Sequence, residues 1–313
     1  MAWESGDLQA AETGIKRELQ VLRELQERDT GPDLKRDLAD TVSWLGSIAL
    51  RQGDLAAAGE YLKRSAESLR LLSLAEPDST TRKYDWASAI QLVVNVALLT
   101  GDLSGAETLT NQAMAIFDEL AAQDEDNRVW VRSSSEGWIL KGKLLAARGE
   151  FENARNYAAR AVSLLRTLVE EEASDLASQE VLADAYYLTA WIDVSTGDVA
   201  AALDSNQNAL ENMQLLQRAG HLNDKRLGKL ASVMVSQGQL HQSLGQYDQS
   251  QGFWQQAREM LAEKAATVST PLLLDPWARV LMLSGQIDEA ENIIKKLETN
   301  LYRPLRPWPK TAG

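Results

Sequence analysis

An all-α solenoid of antiparallel helix pairs is the fold this chain predicts, and three observations predict it. A glycine-centred bend recurs at fixed spacing, apolar residues keep a helical period on both sides of each bend, and the composition favours helix over sheet. The bend reads Gly53-Asp54-Leu55 ending in Ala58, Gly101-Asp102-Leu103 in Ala106, Gly149-Glu150-Phe151 in Ala154, and Gly197-Asp198-Val199 in Ala202. Gly245-Gln246-Tyr247 ends in Ser250, Gly285-Gln286-Ile287 in Ala290, and an early copy, Gly6-Asp7-Leu8, in Ala11. Glycine-to-glycine spacings are 47, then 48 four times, then 40. Such a period marks stacked units that bury a continuous core only against their neighbours. With 7 prolines and 3 phenylalanines in 313 residues, and abundant Ala, Leu, Gln and Glu, the chain is built for helix.

Each part of the bend has a physical reason. Glycine ends one helix in a left-handed residue without a steric penalty. The acidic residue after it is expected in the first turn of the next helix, where free amides and the dipole favour negative charge. Two residues past the glycine the side chain is large and apolar; five past it is Ala in six copies and Ser250 in one. A small residue there marks a close helix–helix contact, since overpacking costs roughly 1–3 kcal/mol. Twelve past the glycine the small residue mostly returns, as Ser65, Ala113, Ala161, Ala209 and Ala257, with Glu18 and Leu297 departing at the ends.

In chain order, Trp3-Glu4-Ser5-Gly6 reads as the end of a helix whose body is missing; either the chain is cut from a longer protein, which the internal spacing of the next helix favours, or that lone helix is a native cap. A helix over 7–27 follows, then helix pairs over 33–52 and 54–75, 80–100 and 102–123, and 127–148 and 150–172. The series continues with 174–196 and 198–219, 223–244 and 246–265, and 271–284 and 286–300. Loops such as Glu76-Pro77-Asp78-Ser79 and Asp124-Glu125-Asp126-Asn127 carry turn and N-cap chemistry. Residues 1–301 thus form one repeat domain of about six pairs plus an initial half repeat. Residues 302–313 form a proline-rich tail that cannot be helical; it either packs Trp308 on the last unit or frays, with partial docking the expectation.

Composition bounds the function. A net charge of 32−45 = −13 argues against nucleic acid and anionic membrane as partners. No apolar run approaches the roughly 18–20 residues of a membrane span. No cysteine is present, which removes disulfides, thiolate metal sites and redox chemistry and fits the cytoplasm.

The bends and the helices before them resemble the tetratricopeptide repeat family over nearly the whole chain. Leu45-Gly46, Trp138 with Gly142, and Gly238 match the first-helix pattern, and the Gly-acidic-apolar-x-x-Ala bend matches the second helix. Val94, Ala190 and Ala278 replace the first-helix glycine elsewhere, and the unit is about 48 residues long instead of the family's 34, with both helices extended. The resemblance implies a right-handed superhelical solenoid whose first helices line a concave wall that holds a peptide or helix. Long units of this kind are similar to arrays attached to bacterial signalling modules such as TIR domains, winged-helix regulators and kinases. The carboxylate-clamp pattern of chaperone-binding members is missing, because Ser43 and Ser47 stand where Lys and Asn are needed.

No motif points to catalysis, a metal or a cofactor. Gly137-Trp138-Ile139-Leu140-Lys141-Gly142-Lys143 superficially matches a phosphate loop, but Leu144 replaces the Mg²⁺-binding hydroxyl and no strand precedes it. Gly142 reads instead as a close-packing position. The loop from Asp124 lacks the glycine and the final glutamate of a calcium site, with Val129 and Ser135 in their places. His221 and His241, the only histidines, have no local partner, and His241 occupies a packing position.

What remains is a surface, and the period writes it as columns. Ten residues before each bend glycine stand Ser43, Gln91, Ile139, Tyr187 and Val235; six before stand Ser47, Asn95, Lys143, Trp191 and Gln239; thirteen before stand Asp40, Ser88, Glu136, Asp184 and Ser232. A protein-interaction module is therefore expected, binding a peptide or helix around Asn95, Lys143, Tyr187 and Trp191, flanked by Gln91, Ile139 and Gln239. Tyr187 and Trp191 are i,i+4 neighbours on one helix face, a suitable aromatic anchor. The rival reading is the sensor region of a larger bacterial regulator, kinase or TIR protein that holds an effector or its own chain. An open N-terminal end also offers a surface for self-association.

Overall fold

The computed structural model describes residues 7–309. Among them are thirteen α-helices and no strand. They are α1 (Leu8–Gln26), α2 (Pro32–Gln52), α3 (Leu55–Ala75), α4 (Thr80–Thr100), α5 (Leu103–Gln123), α6 (Arg128–Ala147) and α7 (Phe151–Glu171). Then follow α8 (Leu176–Ser195), α9 (Val199–Arg218), α10 (Asp224–Ser243), α11 (Tyr247–Ala265), α12 (Pro271–Leu283) and α13 (Ile287–Thr299). Every boundary lies within two residues of the reading from sequence. The early bend at Gly6, and Trp3 to Ser5 before it, lie outside the described residues. No described helix is long and apolar enough to cross a membrane.

The six described bends are one structure repeated. Gly53, Gly101, Gly149, Gly197, Gly245 and Gly285 have φ of 80°, 77°, 80°, 89°, 73° and 79°, where a side chain would be strained. The amide after the glycine reaches back five residues, as in Asp54 N–H to Ala49 O and Gln286 N–H to Leu281 O, each 2.9 Å. That bond satisfies a carbonyl the helix end would leave bare. The acidic residue is not in the first turn, as expected, but one place earlier, as the cap. Asp7, Asp54, Asp102 and Asp198 accept from the backbone amides of Ala10, Ala57, Gly105 and Ala201 at 2.9–3.0 Å. Glu150 and Gln246 are one methylene too long and make no cap bond. Asp198→Ala should therefore cost about 1 kcal/mol in urea unfolding and Glu150→Ala only a few tenths; equal losses would show that the cap bond is not what stabilises these bends.

The described residues cluster into two compact units: Asp7–Asp124 with Asn300–Arg303, and Glu125–Thr299 with Pro304–Pro309. In the first unit, α1 to α5 stack as hairpins around Leu62, Leu69, Leu72, Val93 and Val96. Phe117 is fully buried and meets Tyr84 edge-on at 5.8 Å. Arg303 N–H donates to Leu99 O at 2.8 Å.

The second unit holds α6 to α13, with a core of Leu210, Met213, Leu216, Leu230, Val233, Trp254, Leu261, Leu273 and Val280. Its small bend residues Ala154, Ala202 and Ala290 have no exposed surface and Ser250 has 1%. Gly142 lies buried in the middle of α6, where an added Cβ would come 2.7 Å from Leu188 Cδ2, so packing and not phosphate explains it. Pro271 opens α12 and Pro276 stands inside it.

Candidate functional site

The second unit presents a wall made by its first helices α6, α8, α10 and α12. Helical period decides which side chains face outward. In the column six before each glycine, Lys143, Trp191 and Gln239 are half-buried, while Arg279 of α12 is buried. The column thirteen before, with Glu136, Asp184 and Ser232, is likewise half-buried. The column ten before is mixed, because it sits at the edge of the helix–helix seam. Tyr187 is half-buried there, while Ile139 and Val235 are 3% and 2% exposed and belong to the core. In the first unit Asn95 is exposed and Gln91 buried.

The segment from Pro304 to Pro309 lies on this wall with no helix and a bend at Leu305–Arg306. The Arg306 guanidinium sits 4.8 Å over the Tyr187 ring and 5.9 Å from the centre of the Trp191 ring. It also donates to the Tyr187 hydroxyl, which itself donates to Ser232 O at 3.3 Å. Arg279, buried in α12 and held by Asp275 at 2.8 Å, donates to the main-chain oxygens of Arg306 and Pro307 at 2.7 and 2.9 Å. Trp308 lies under the same guanidinium at 4.8 Å. Trp308 thus docks on the last helix pair, and the wall holds a strand of peptide by two guanidinium–aromatic contacts and a pair of carbonyl bonds.

Beside it runs a network of charges. Glu180 accepts from Arg226 Nε at 2.7 Å and Lys229 Nζ at 2.8 Å, with Lys225 Nζ at 3.2 Å. Lys229 also donates to Asp184 at 2.7 Å. Burial would raise both carboxyls, but Lys229, with Lys225 on Glu180 and Lys143 on Asp184, holds them below the ordinary carboxylate range. Burial would likewise lower Lys229, yet Asp184 and Glu180 push it above the usual lysine range. Lys143 has no direct ion pair among the described residues; burial pushes its ammonium pKa down, and Asp184 only partly restores it. Burial pushes the Glu136 carboxyl up, against Lys225, Lys229 and Arg132.

Of the residues expected from sequence, the structure brings Tyr187 and Trp191 together under Arg306, with Lys143 near enough to feel that charge. Sequence reasoning missed Arg279, Glu180 and Lys229. The signal for the last two was present: Glu180 and Lys229 are 49 apart, about one period, which makes them neighbours in successive units. Elsewhere, His241 stacks on Phe253 at 5.4 Å, and Asn127 caps α6. Among the described residues no group of three or more His, Cys, Asp or Glu could hold a metal ion.

Comparison with known proteins supports the architecture. One family model, the Domain of Unknown Function DUF3856, matches residues 140–271, less than half of the chain. No curated protein matches the sequence. Among solved structures, the chain is similar to a Rap protein complexed with competence and sporulation factor, at 17% identity and a TM-score of 0.63, covering 90% of this chain and 68% of that one. It is similar to the Rap conjugation gene regulator of the plasmid pLS20 in complex with the Phr* peptide, at 13% identity and 0.63, covering 86% and 66%. It is also similar to aspartyl phosphate phosphatase F from Bacillus subtilis, at 14% identity and 0.56, covering 88% and 63%. This chain spans about two thirds of the length of each. At these identities the likeness shows the fold alone. The fold is all-α and tetratricopeptide-like.

Proposed function

We propose that the protein is a non-catalytic, cytoplasmic interaction module that recognises a peptide or a protein segment on the concave wall centred on Tyr187, Trp191 and Lys143, with Gln239 at its rim. The observation that carries this is that a non-helical stretch of chain already lies there, gripped through its backbone by Arg279 and through a side chain by Tyr187 and Trp191. A similar fold holding the Phr* peptide supports the same kind of work. The occupying stretch belongs to the chain itself, which favours a regulatory version of the reading, in which binding is coupled to release of that stretch. Nucleic acid, membrane and cofactor have no part in it.

The test is a displayed random-peptide library selected on the immobilised protein, with affinities of enriched peptides then measured by fluorescence anisotropy. Tyr187→Ala with Trp191→Ala should weaken them at least tenfold, as loss of an aromatic anchor does. The exposed pair Gln207→Ala and Glu211→Ala on α9 should leave them unchanged. Enriched peptides indifferent to Tyr187 and Trp191 would remove this wall as the site.

A further inference from the structure

We infer that Pro304–Pro309 is an intramolecular ligand of the α8–α12 wall, and that the external partner is a non-helical peptide bearing an arginine followed by proline and an aromatic residue. The inference rests on the reading above and specifies its partner.

The segment has the form of a ligand and not of a structural strap. None of its six residues is buried, in contrast to Tyr302 just before it at 6% exposure. Its contacts are made by groups that recognise peptides. Arg279 takes two successive carbonyls, Arg306 and Pro307, which any sequence could offer. Selectivity comes from the two ends: Tyr187 and Trp191 receive a guanidinium, and the guanidinium of Arg279 receives an indole. Pro304, Pro307 and Pro309 lack amide protons and hold φ near −65°, so the segment folds into nothing of its own and its carbonyls stay available.

Energetic scale makes displacement feasible. Guanidinium–aromatic contacts and part-buried hydrogen bonds are individually weak, far weaker than a buried core anchor. A tethered ligand acts at an effective concentration in the millimolar range, so it excludes weak or mismatched peptides and yields to a free one of the same chemistry that binds more tightly. Tyr187 and Trp191 would then be freed only by the proper partner.

The experiment uses the full-length chain and a fluorescein-labelled octapeptide, Arg-Pro-Leu-Arg-Pro-Trp-Pro-Lys, which copies residues 303–310. Anisotropy should show at least tenfold tighter binding to Arg306→Ala with Trp308→Ala than to the unmodified chain, because the internal competitor is weakened. Adding Arg279→Ala should abolish that gain; if that variant loses helicity by circular dichroism, Arg279→Lys serves, since lysine cannot make the paired carbonyl bonds. A control octapeptide with Gln for its second arginine and Ala for its tryptophan should not bind. Equal binding to the unmodified chain and the weakened-segment variant would overturn the inference. If the octapeptide fails while library peptides still bind through Tyr187 and Trp191, the inference falls and the peptide-binding reading stands; if both fail, both fall. Sedimentation showing a concentration-dependent dimer that Arg306→Ala with Trp308→Ala abolishes would make a second copy the occupant and overturn the external peptide.

Discussion

Gly228→Ala is expected to lower stability by about 2–3 kcal/mol, towards the upper end of what overpacking costs. A Cβ on Gly228 in α10 would stand 2.0 Å from the backbone oxygen of Leu272 in α12 and 2.9 Å from its carbonyl carbon. No rotamer change relieves a clash with backbone, so one helix must shift and reopen the core around Leu230 and Leu273. The carbonyl is there for a reason. Pro276 stands four residues after Leu272 and has no N–H, so it cannot take that oxygen into the α12 ladder. The freed carbonyl points at Gly228, where α10 has no side chain to meet it. For a unit of this size the loss corresponds to a fall in Tm of about 4–12 °C by circular dichroism. Gly252→Ala in α11, with nothing within 4 Å of the added carbon, should do the opposite and stabilise by up to about 1 kcal/mol. A Gly228→Ala protein as stable as the parent would mean that α10 and α12 do not approach this closely.

Much of this was legible in the sequence because the repeat is written in backbone chemistry. Left-handed glycines, capping acids and small contact residues have few alternatives, so each bend and nearly every helix end could be placed from residues alone. The period also groups side chains into columns, and Lys143, Trp191, Glu136 and Asp184 on their first helices are half-buried. Two things were not legible. Ile139 was expected beside Tyr187 on the surface but is 3% exposed. Its column lies on the helix–helix seam, where a small rotation of the helix decides between core and surface, and sequence period does not resolve a small rotation. Pairings that depend on distant chain were hidden as well, such as Arg279 with the carbonyls of Arg306 and Pro307, 27 and 28 residues away. Pairings one period apart follow from the period itself. Arg36 meets Asp85 and Arg82 meets Asp33 at separations of 49, and Arg128 meets Asp175 at 47. Opposite charges one unit apart on first helices tie successive units together.

Lys229→Ala should cost about 2–3 kcal/mol and make the second unit more sensitive to acid. Removing one partner of a fully buried ion pair costs about 3–5 kcal/mol, since the remaining charge stays desolvated. Here the loss is smaller, because Arg226 and Lys225 still face Glu180, while Asp184 loses its hydrogen bond and keeps the influence of Lys143 and Lys225. In the parent, both carboxyls are held below their unfolded values, so their contribution is complete above about pH 4 and fades as pH falls through the folded values. Lys229 is held above its unfolded value, so its contribution is complete below about pH 10 and fades as pH rises through the folded one. The network is therefore intact across the neutral range and fails at both extremes. Without Lys229, burial at Asp184 is offset only by the more distant Lys143 and Lys225, its carboxyl moves upward, and the acid unfolding midpoint should move to higher pH. Asp184→Asn in the Lys229→Ala background should then cost little more, giving a coupling on the order of 1–3 kcal/mol in a double-mutant cycle. Additive losses, or an acid midpoint that does not move, would show that Lys229 and Asp184 act independently and that the bond between α8 and α10 is incidental to how the wall is held.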